Sequence, residues 1–283
     1  MIRLLAACAL SVLMAACASA PRVERWSAAP ISSDQFESHP AFDPVTRDVY
    51  FVRGTPDFSN WRLMVSRCGA HHQLQQPAPP SFADANAVEA DPWFANDNTL
   101  YFISVRPENG VAQQELDIWR VRRAHGVWGA PEHLPPPVNS EGQEWFPRVG
   151  QDGWLYFGSS RPGGLGRTDI YRAQEDGVGG WRVENLGPNI NTAGDEFEAE
   201  ISADGRRMIL MADGDLYQSE LRDGRWQPRV KLENGVNTSA MEVGALLAPS
   251  GQAMLYARDS GDPALSGEIY QQGAAAGWPP RCR

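Results

Sequence analysis

The chain has 283 residues, of which 42% are hydrophobic, and it carries a formal net charge of -10 at pH 7. This length allows one large β domain or two smaller domains, and the acidic balance argues against a nucleic-acid partner, because phosphate binding needs a basic face. Ten Trp, 27 Gly and 22 Pro predict many short strands and turns rather than helices.

The first segment of the chain has the features of an export signal. Met1–Arg3 is a short basic start, and Leu4–Ala16 is an apolar run that is short for a membrane span but typical of a signal peptide. The run ends in Leu-Met-Ala-Ala-Cys17, which resembles the lipobox of bacterial lipoproteins. The resemblance implies removal of residues 1–16 and lipidation of Cys17; the alternative is conventional cleavage near Ala18. Because Ala18 is not the Asp that often signals inner-membrane retention, analogy places the protein on the outer membrane, facing the periplasm.

A unit of about 50 residues recurs along the rest of the chain. The clearest copy runs from Glu144 to Thr192, where short aromatic and β-branched runs are separated by turn signals such as Gln151–Gly153 and Pro162–Gly166. Each of the five copies begins with a glutamate: Glu37, Glu89, Glu144, Glu196 and Glu242. This period is typical of propeller blades with four strands. The sequence therefore predicts an all-β chain folded as a single β-propeller of antiparallel blades, with five blades and six as the alternative.

The repeat resembles the WD40-like repeat of TolB-type β-propellers. The shared pattern is Glu-x-x-Pro, Ser-x-Asp-Gly, Leu-Tyr-Phe-x-Ser-x-Arg, Gly-Gly-x-Gly-x-x-Asp-Ile-Tyr and Trp…Leu-Gly-x-x-Ile-Asn-Thr, which is nearly complete in the third copy. The fourth copy lacks Ser-x-Arg and has residues 211–214 in its place, and Ala199 and Ala245 replace the Pro in the fourth and fifth copies. These departures make the ring asymmetric, and a functional site is expected where the copies differ from the repeat pattern.

The predicted domain boundaries follow from this organisation. Residues 17–30 form the lipidated N-terminus and a candidate ring-closing strand, and residues 31–283 form the propeller. Two segments, Trp26–Pro30 and Trp278–Pro279, both match the last strand of a repeat, so the sequence leaves open which of them closes the ring. Gln73–Asp84 is predicted to supply the fourth strand of blade one and its crossover.

The two cysteines that remain after removal of the signal peptide and lipidation of Cys17 are Cys68 and Cys282. They lie near the two ends of the predicted propeller. Blades one and five are neighbours in a closed ring, and exported proteins favour disulfides. We therefore predict a Cys68–Cys282 disulfide.

Three groups of polar residues are candidate sites. The blade-start glutamates are expected near the channel, either as a carboxylate ring for a cation or for acid–base chemistry, or as architectural residues paired with Arg53, Arg106, Arg161 or Arg258. Glu196, Glu198 and Glu200 share one face of a regular strand, so they predict either an acidic binding patch or a solvated edge. His71 and His72 face opposite sides of a strand and predict no metal site, and no cofactor is predicted.

The resemblance implies a recognition module that binds an envelope protein, a peptide or a glycan, touches the membrane only through its lipid anchor and has no catalytic residues. The motivation is that the acidic residues placed near the channel recur blade by blade, whereas a catalytic pair stands out from its surroundings. The alternative is a carbohydrate-active enzyme, either a glycoside hydrolase or a lyase, on a five-bladed propeller.

Overall fold

The structure is a computed structural model that describes residues 22–26, 29–95, 98–259 and 267–282. Cys17, the signal peptide and the start of the predicted lipidated segment lie outside the described residues. Within them, no helix has the length and apolar character needed to cross a bilayer.

The described strands form five small antiparallel sheets, which are the blades of a five-bladed β-propeller. Blade one consists of β2 (Phe36–Phe42), β3 (Val49–Gly54) and β4 (Arg62–Ser66), followed by a single 3-10 turn at Ala70–His72. Blade two consists of β5 (Glu89–Phe94), β6 (Thr99–Ser104), β7 (Asp117–Ala124), β8 (Val127–Trp128) and β9 (Glu132–His133). Blade three consists of β10 (Glu144–Val149), β11 (Leu155–Ser159), β12 (Asp169–Glu175) and β13 (Trp181–Asn185).

Blades four and five complete the ring. Blade four consists of β14 (Glu196–Ile201), β15 (Arg207–Ala212), β16 (Asp215–Arg222), β17 (Arg225–Trp226) and β18 (Val230–Lys231). Blade five consists of β19 (Met241–Leu247), β20 (Ala253–Asp259), β21 (Glu268–Gly273) and the N-terminal β1 (Val23–Arg25). The predicted fold is therefore confirmed, with five blades rather than six.

The N-terminal segment closes the ring. β1 pairs antiparallel with β21, and Trp26 N–H donates to the carbonyl oxygen of Ile269. Among the described residues, the competing segment forms an isolated bridge between Ala275 and Trp278 and no strand ladder. Both candidate segments carry the Trp–Pro pattern, so the sequence could not distinguish them. The pairing of β1 with β21 shows that the N-terminal segment occupies the free edge of blade five.

Blade one is the shortest sheet. The segment predicted as its fourth strand forms only isolated bridges, Val65 with Ala78 and Cys68 with Leu74. Pro77, Pro79 and Pro80 within this segment have no N–H to donate to a ladder. A disulfide joins the end of this blade to the C-terminal segment, because Cys68 and Cys282 are bonded with their Cα atoms 5.3 Å apart.

The hydrophobic core lies between neighbouring blades and runs around the ring. One cluster combines Val52 of blade one, Ile103 of blade two and Phe157 of blade three, and another joins Phe36 of blade one to Tyr256 of blade five. Full burial of one such side chain contributes about 1.5–3 kcal/mol. The blades therefore stabilise one another, since a single four-stranded sheet cannot bury both of its faces.

The blade-start glutamates are the joints between blades. All five are at most 1% exposed, and each carboxylate pairs with an arginine: Glu37 with Arg53, Glu89 with Arg106, Glu144 with Arg161, Glu196 with Arg229, and Glu242 with Arg258. The same arginines reach back to carbonyl groups of the preceding connection, as Arg161 does to Val138. Of the two roles that the sequence allowed for these glutamates, the structure therefore supports the architectural one.

Candidate functional site

A bulge turns one residue of each innermost strand toward the axis of the propeller. The pairing register of every innermost strand shifts just after the blade-start glutamate. A β-bulge bends the strand and redirects a side chain, and in blades one to three the motif proline sits at the bulge, where no ladder N–H is needed. The redirected residue is the third of each Glu-x-x motif, and it differs in every blade: His39, Asp91, Phe146, Glu198 and Gly244.

These five positions form a first axial layer. His39, Asp91 and Phe146 have φ of 50°, 57° and 52°, a conformation that is uncommon for residues other than glycine. In blade five the position must be glycine. Gly244 has φ of 69°, and a Cβ there would lie 2.9 Å from the backbone nitrogen of His39. Strained backbone held in place by the fold is found most often at functional sites.

His39 is the centre of the first layer. Its Nε2 lies 3.2 Å from Glu198 Oε1 and 3.7 Å from Asp91 Oδ1, while its Nδ1 lies 2.8 Å from the hydroxyl of Ser38. An ionised carboxylate can only accept hydrogen bonds, so Nε2 donates to Glu198. The ring of Phe146 stacks on the imidazole with centroids 5.0 Å apart. Blades one, two, three and four therefore meet on one imidazole ring.

Backbone amides complete the first layer. Glu198 accepts hydrogen bonds from the N–H groups of Gly244, at 2.7 Å, and Ala245, at 3.2 Å, and Asp91 accepts one from the N–H of Phe146 at 3.2 Å. Charge-assisted bonds to backbone N–H groups stabilise a carboxylate strongly. The negative charge of Glu198 is thus held by groups from blades one and five.

A second axial layer contains Trp93, Arg148 and Glu200. Arg148 Nε lies 3.4 Å from Glu200 Oε2, its guanidinium lies over the ring of Trp93 at 5.0 Å from the centroid, and Glu200 Oε1 accepts a hydrogen bond from Leu247 N–H at 3.0 Å. Glu200 Oε2 and Trp93 Nε1 are buried without a hydrogen-bond partner among the described residues. Buried polar atoms without partners are rare in folded proteins, and here two of them lie in the same layer.

The three axial carboxyl groups have unequal acidities. Burial raises the pKa of Glu200 to about 7, and the neighbouring charge of Glu198 adds to this effect. Burial also raises the pKa of Asp91 to about 6, against the charges of His39 and Arg148. Burial alone would raise the pKa of Glu198, but the hydrogen bond and charge of His39 and the N–H of Gly244 outweigh it and lower that pKa. Glu198 and Glu200 lie on the same strand, and their pKa values are therefore shifted in opposite directions.

The axial side chains are closed off from solvent. His39, Asp91, Glu198 and Glu200 are each 2% exposed and Arg148 is 4% exposed, whereas Phe146 is 8% exposed. A group of three or more His, Cys, Asp or Glu placed to hold a metal ion is not found among the described residues. The arrangement places three carboxyl groups of unequal pKa near one imidazole ring.

The structure separates Glu196 from the other two residues of the predicted acidic patch. Glu196 belongs to the ring of blade joints, and Glu198 and Glu200 belong to the first and second axial layers. All three are at most 2% exposed, so they do not form the exposed patch or solvated edge that a regular strand predicts. The physical reason is the bulge between Glu196 and Glu198, which breaks the period of two on which the shared face depended.

Sequence reasoning missed His39, Asp91 and Arg148. The available signal was the third position of the Glu-x-x motif, which changes in every copy while the glutamate before it stays constant. His71 and His72 are both exposed and lie in the 3-10 turn after blade one, away from the axis. Cys17 lies outside the described residues.

Comparison with solved structures places this chain among propellers of mixed function. It is similar to a thermostable family-43 glycoside hydrolase at 11% identity and a TM-score of 0.54, over 86% of this chain and 90% of that one. It is similar to an endo-arabinase from Bacteroides thetaiotaomicron at 13% identity and a TM-score of 0.53, over 88% and 97% of the two chains.

A putative TolB from Agrobacterium tumefaciens also matches, at 14% identity and a TM-score of 0.43 over 86% and 92% of the two chains, a likeness too weak to support an argument. The chain spans 30% of the length of a prolyl endopeptidase that it matches with a TM-score of 0.45. No family model matches the sequence, and no curated protein matches it.

These comparisons contradict the prediction that the protein is not an enzyme. Two propellers that match nearly the whole chain with TM-scores above 0.5 are a glycoside hydrolase and an endo-arabinase. The premise of that prediction was also wrong, because Asp91, Glu198 and Glu200 are acidic residues near the axis that do not recur blade by blade. At these identities the likeness establishes the fold, and an activity has to be argued from the site.

Proposed function

We propose that this protein is a carbohydrate-active enzyme that uses acid–base chemistry at the axial site. The observation that carries the proposal is the pair Glu198 and Glu200, two residues apart on β14, whose pKa values are displaced in opposite directions. Hydrolysis of a glycosidic bond uses one carboxyl group that is protonated and one that is ionised. A fold in common with a glycoside hydrolase and an endo-arabinase supports the same substrate class.

The proposal assigns a role to each axial residue. Glu200, whose pKa is about 7, donates the proton to the leaving oxygen. Asp91 or Glu198 is the ionised partner, and His39 holds both on one nitrogen. Arg148 lies beside Glu200 and stabilises the carboxylate that forms when the proton leaves. Glu200 Oε2, which lies 3.4 Å from Arg148 Nε, is the atom that the proposal assigns to proton donation.

Substrate access requires movement at the axis, because the acidic side chains are 2% exposed. Phe146 stacks on His39 and is the most exposed side chain of the first layer. In the proposal Phe146 closes the first layer, and substrate binding displaces it.

The test is hydrolysis of a panel of envelope and plant glycans by the purified protein. Glu200→Gln should reduce the rate by about 10²–10⁴-fold, as expected for loss of a general acid. Glu184→Gln is the matched control, because Glu184 is a half-exposed carboxylate paired with Arg172 on blade three, and it should keep full activity. A wild-type protein that cleaves no glycan, or a folded Glu200→Gln variant with full activity, would refute the proposal.

We also propose that the enzyme acts at the outer membrane, held by lipid on Cys17 and facing the periplasm. The support is the sequence pattern that ends at Cys17. Cys17→Ser should release the protein from the membrane fraction and abolish incorporation of labelled palmitate. If the variant stays membrane-bound and the wild type takes up no label, the proposed lipid anchor on Cys17 is refuted. This outcome does not depend on the result of the glycan assay.

A further inference from the structure

A second feature, remote in sequence from the axial residues, is the cavity at the seam where the ring closes. It has a volume of about 1320 Å³ and lies between blades one and five. Its walls come from residues that follow β1, from the 3-10 turn of blade one and from the C-terminal segment, including Cys282 of the disulfide. We call it the seam cavity. Its volume exceeds the roughly 300–1,000 Å³ of typical small-ligand sites, so it has room for an extended ligand.

The seam cavity is basic in an acidic protein. Arg47 and Arg281 line it together with His72, and its lining includes no Asp or Glu, although the chain carries a net charge of -10. Neither Arg47 nor Arg281 forms an ion pair with an acidic side chain of the described residues, whereas the five arginines of the blade joints all do. Unpaired guanidinium groups in such a cavity favour a ligand that carries carboxylate, sulfate or phosphate groups.

Aromatic and amide side chains supply the rest of the lining. Trp26 and Trp278 are half-buried and pack against the cluster of Leu246, Leu255 and Ile269, while also lining the cavity. Indole rings offer rigid flat surfaces with a polar N–H at one edge.

Three glutamines, Gln73, Gln76 and Gln271, also line the cavity. Each amide can both donate and accept hydrogen bonds. A ligand that fits this combination has an apolar face, hydroxyl groups along its edge and a negative charge. We propose that the seam cavity binds an acidic saccharide, with the indoles against sugar faces, the amides on hydroxyl groups and the two arginines on the acidic groups.

The seam site is a binding site, and it does not depend on chemistry at the axis. The cavity residues come from blades one and five, whereas the axial acids come from blades two and four. A glycan held at the seam would be retained whether or not this protein cleaves it.

The test is titration calorimetry with a uronic-acid tetrasaccharide, its carboxyl-reduced neutral counterpart, inorganic phosphate and an acidic tetrapeptide. We expect the acidic saccharide to bind, and the neutral saccharide and phosphate to bind at least about tenfold more weakly, because each supplies only half of the recognised chemistry. Arg47→Gln and Arg281→Gln should each weaken binding about 5–10-fold, and Trp278→Ala by a similar factor, with loss of affinity in high salt.

Two controls separate the outcomes. Arg225→Gln removes an exposed arginine from β17 of blade four and should leave binding unchanged, and thermal melting checks that every variant is folded. Glu200→Gln should also leave binding unchanged, so failure of the glycan hydrolysis proposal does not affect this one. Absence of saccharide binding, equal binding of the neutral saccharide, equal binding of phosphate or of the peptide, or full affinity in folded Arg47→Gln and Arg281→Gln variants would overturn the seam site.

Discussion

Two sets of residues on the same innermost strands, only two positions apart, have opposite characters. The blade-start glutamates are repeated, and each is satisfied by an arginine at the same joint, as Glu144 is by Arg161. The third-position residues are not repeated, and their partners come from across the axis, as His39 of blade one bonds Glu198 of blade four. Both sets are buried.

The difference teaches that burial of a carboxylate does not by itself mark a site. A residue that recurs in every blade has a structural role that every blade needs, which is the contact with the neighbouring blade. A residue that occurs once and pairs with a residue that also occurs once, as Glu200 does with Arg148, has no such architectural reason. We therefore expect the blade joints to control stability and the axial layers to control protonation and activity.

Opening the ring at its seam should have the largest effect on stability. The Cys68–Cys282 disulfide spans 214 residues, and a cross-link of that length stabilises a fold by about 5 kcal/mol in the chain-entropy treatment. Cys68→Ser/Cys282→Ser should lower the free energy of unfolding by about that amount in urea titration. A double variant as stable as the oxidised wild type would show that the joints hold the ring without the cross-link.

Breaking one joint should cost about 3–5 kcal/mol. Glu144→Ala leaves the Arg161 guanidinium, whose side chain is 12% exposed, without its carboxylate, and a buried charge without its partner is strongly destabilising. Glu200→Gln replaces an axial carboxyl by a neutral group of similar shape and should leave the free energy of unfolding unchanged or raise it. Urea titration of both variants decides the comparison, and equal losses in the two would contradict it.

The axial layers should make stability depend on pH between about 4.5 and 7. The pKa of Glu200 is raised to about 7 in the folded protein from 4.5, so the folded state keeps a proton that the unfolded state has lost. Stability therefore falls as pH rises through this window, by an amount on the order of 2–3 kcal/mol. Asp91, with a pKa raised to about 6, adds to the same slope.

Glu198 acts in the opposite sense, because its pKa is lowered. Its contribution is present above pH 4.5 and is lost as the pH falls through the lowered pKa, so it does not cancel the slope above pH 4.5. Urea midpoints measured from pH 4.5 to 7.5 should fall for the wild type. For Glu200→Gln they should fall less, and the decline that remains should lie below about pH 6, where Asp91 titrates. A variant that keeps the wild-type slope would show that Glu200 is not the group responsible.

The smallest expected effect is the difference between the stability losses of Arg229→Gln and Arg258→Gln, which should be near zero. Blade four lacks the Ser-x-Arg of its neighbours, and Arg229, from the segment leading into β18, takes its place beside Glu196. Arg229 and Arg258 have side chains 13% and 14% exposed, so Arg229→Gln and Arg258→Gln should each cost about 2 kcal/mol. If Arg229→Gln costs much less than Arg258→Gln, blade four is a weaker joint than its neighbours.

The sequence by itself determined the repeat, most of the strands and the propeller fold. Turn signals were sufficient because their cause is local, as at Gly153, where a φ of 77° favours glycine. The recurrence of the glutamates allowed an architectural role, and the structure confirmed it by pairing each glutamate with an arginine. The Cys68–Cys282 pairing followed from closing the ring.

Only the tertiary structure decided the axial site. His39 and Glu198 are 159 residues apart, and nothing local in either segment specifies that they meet. The bulge after each blade-start glutamate breaks the alternation of side chains, so a regular strand pattern placed Glu196 with Glu198 and Glu200, whereas the fold separates it from them. Their acidities follow from burial and from partners in other blades, which exist only once the ring has closed.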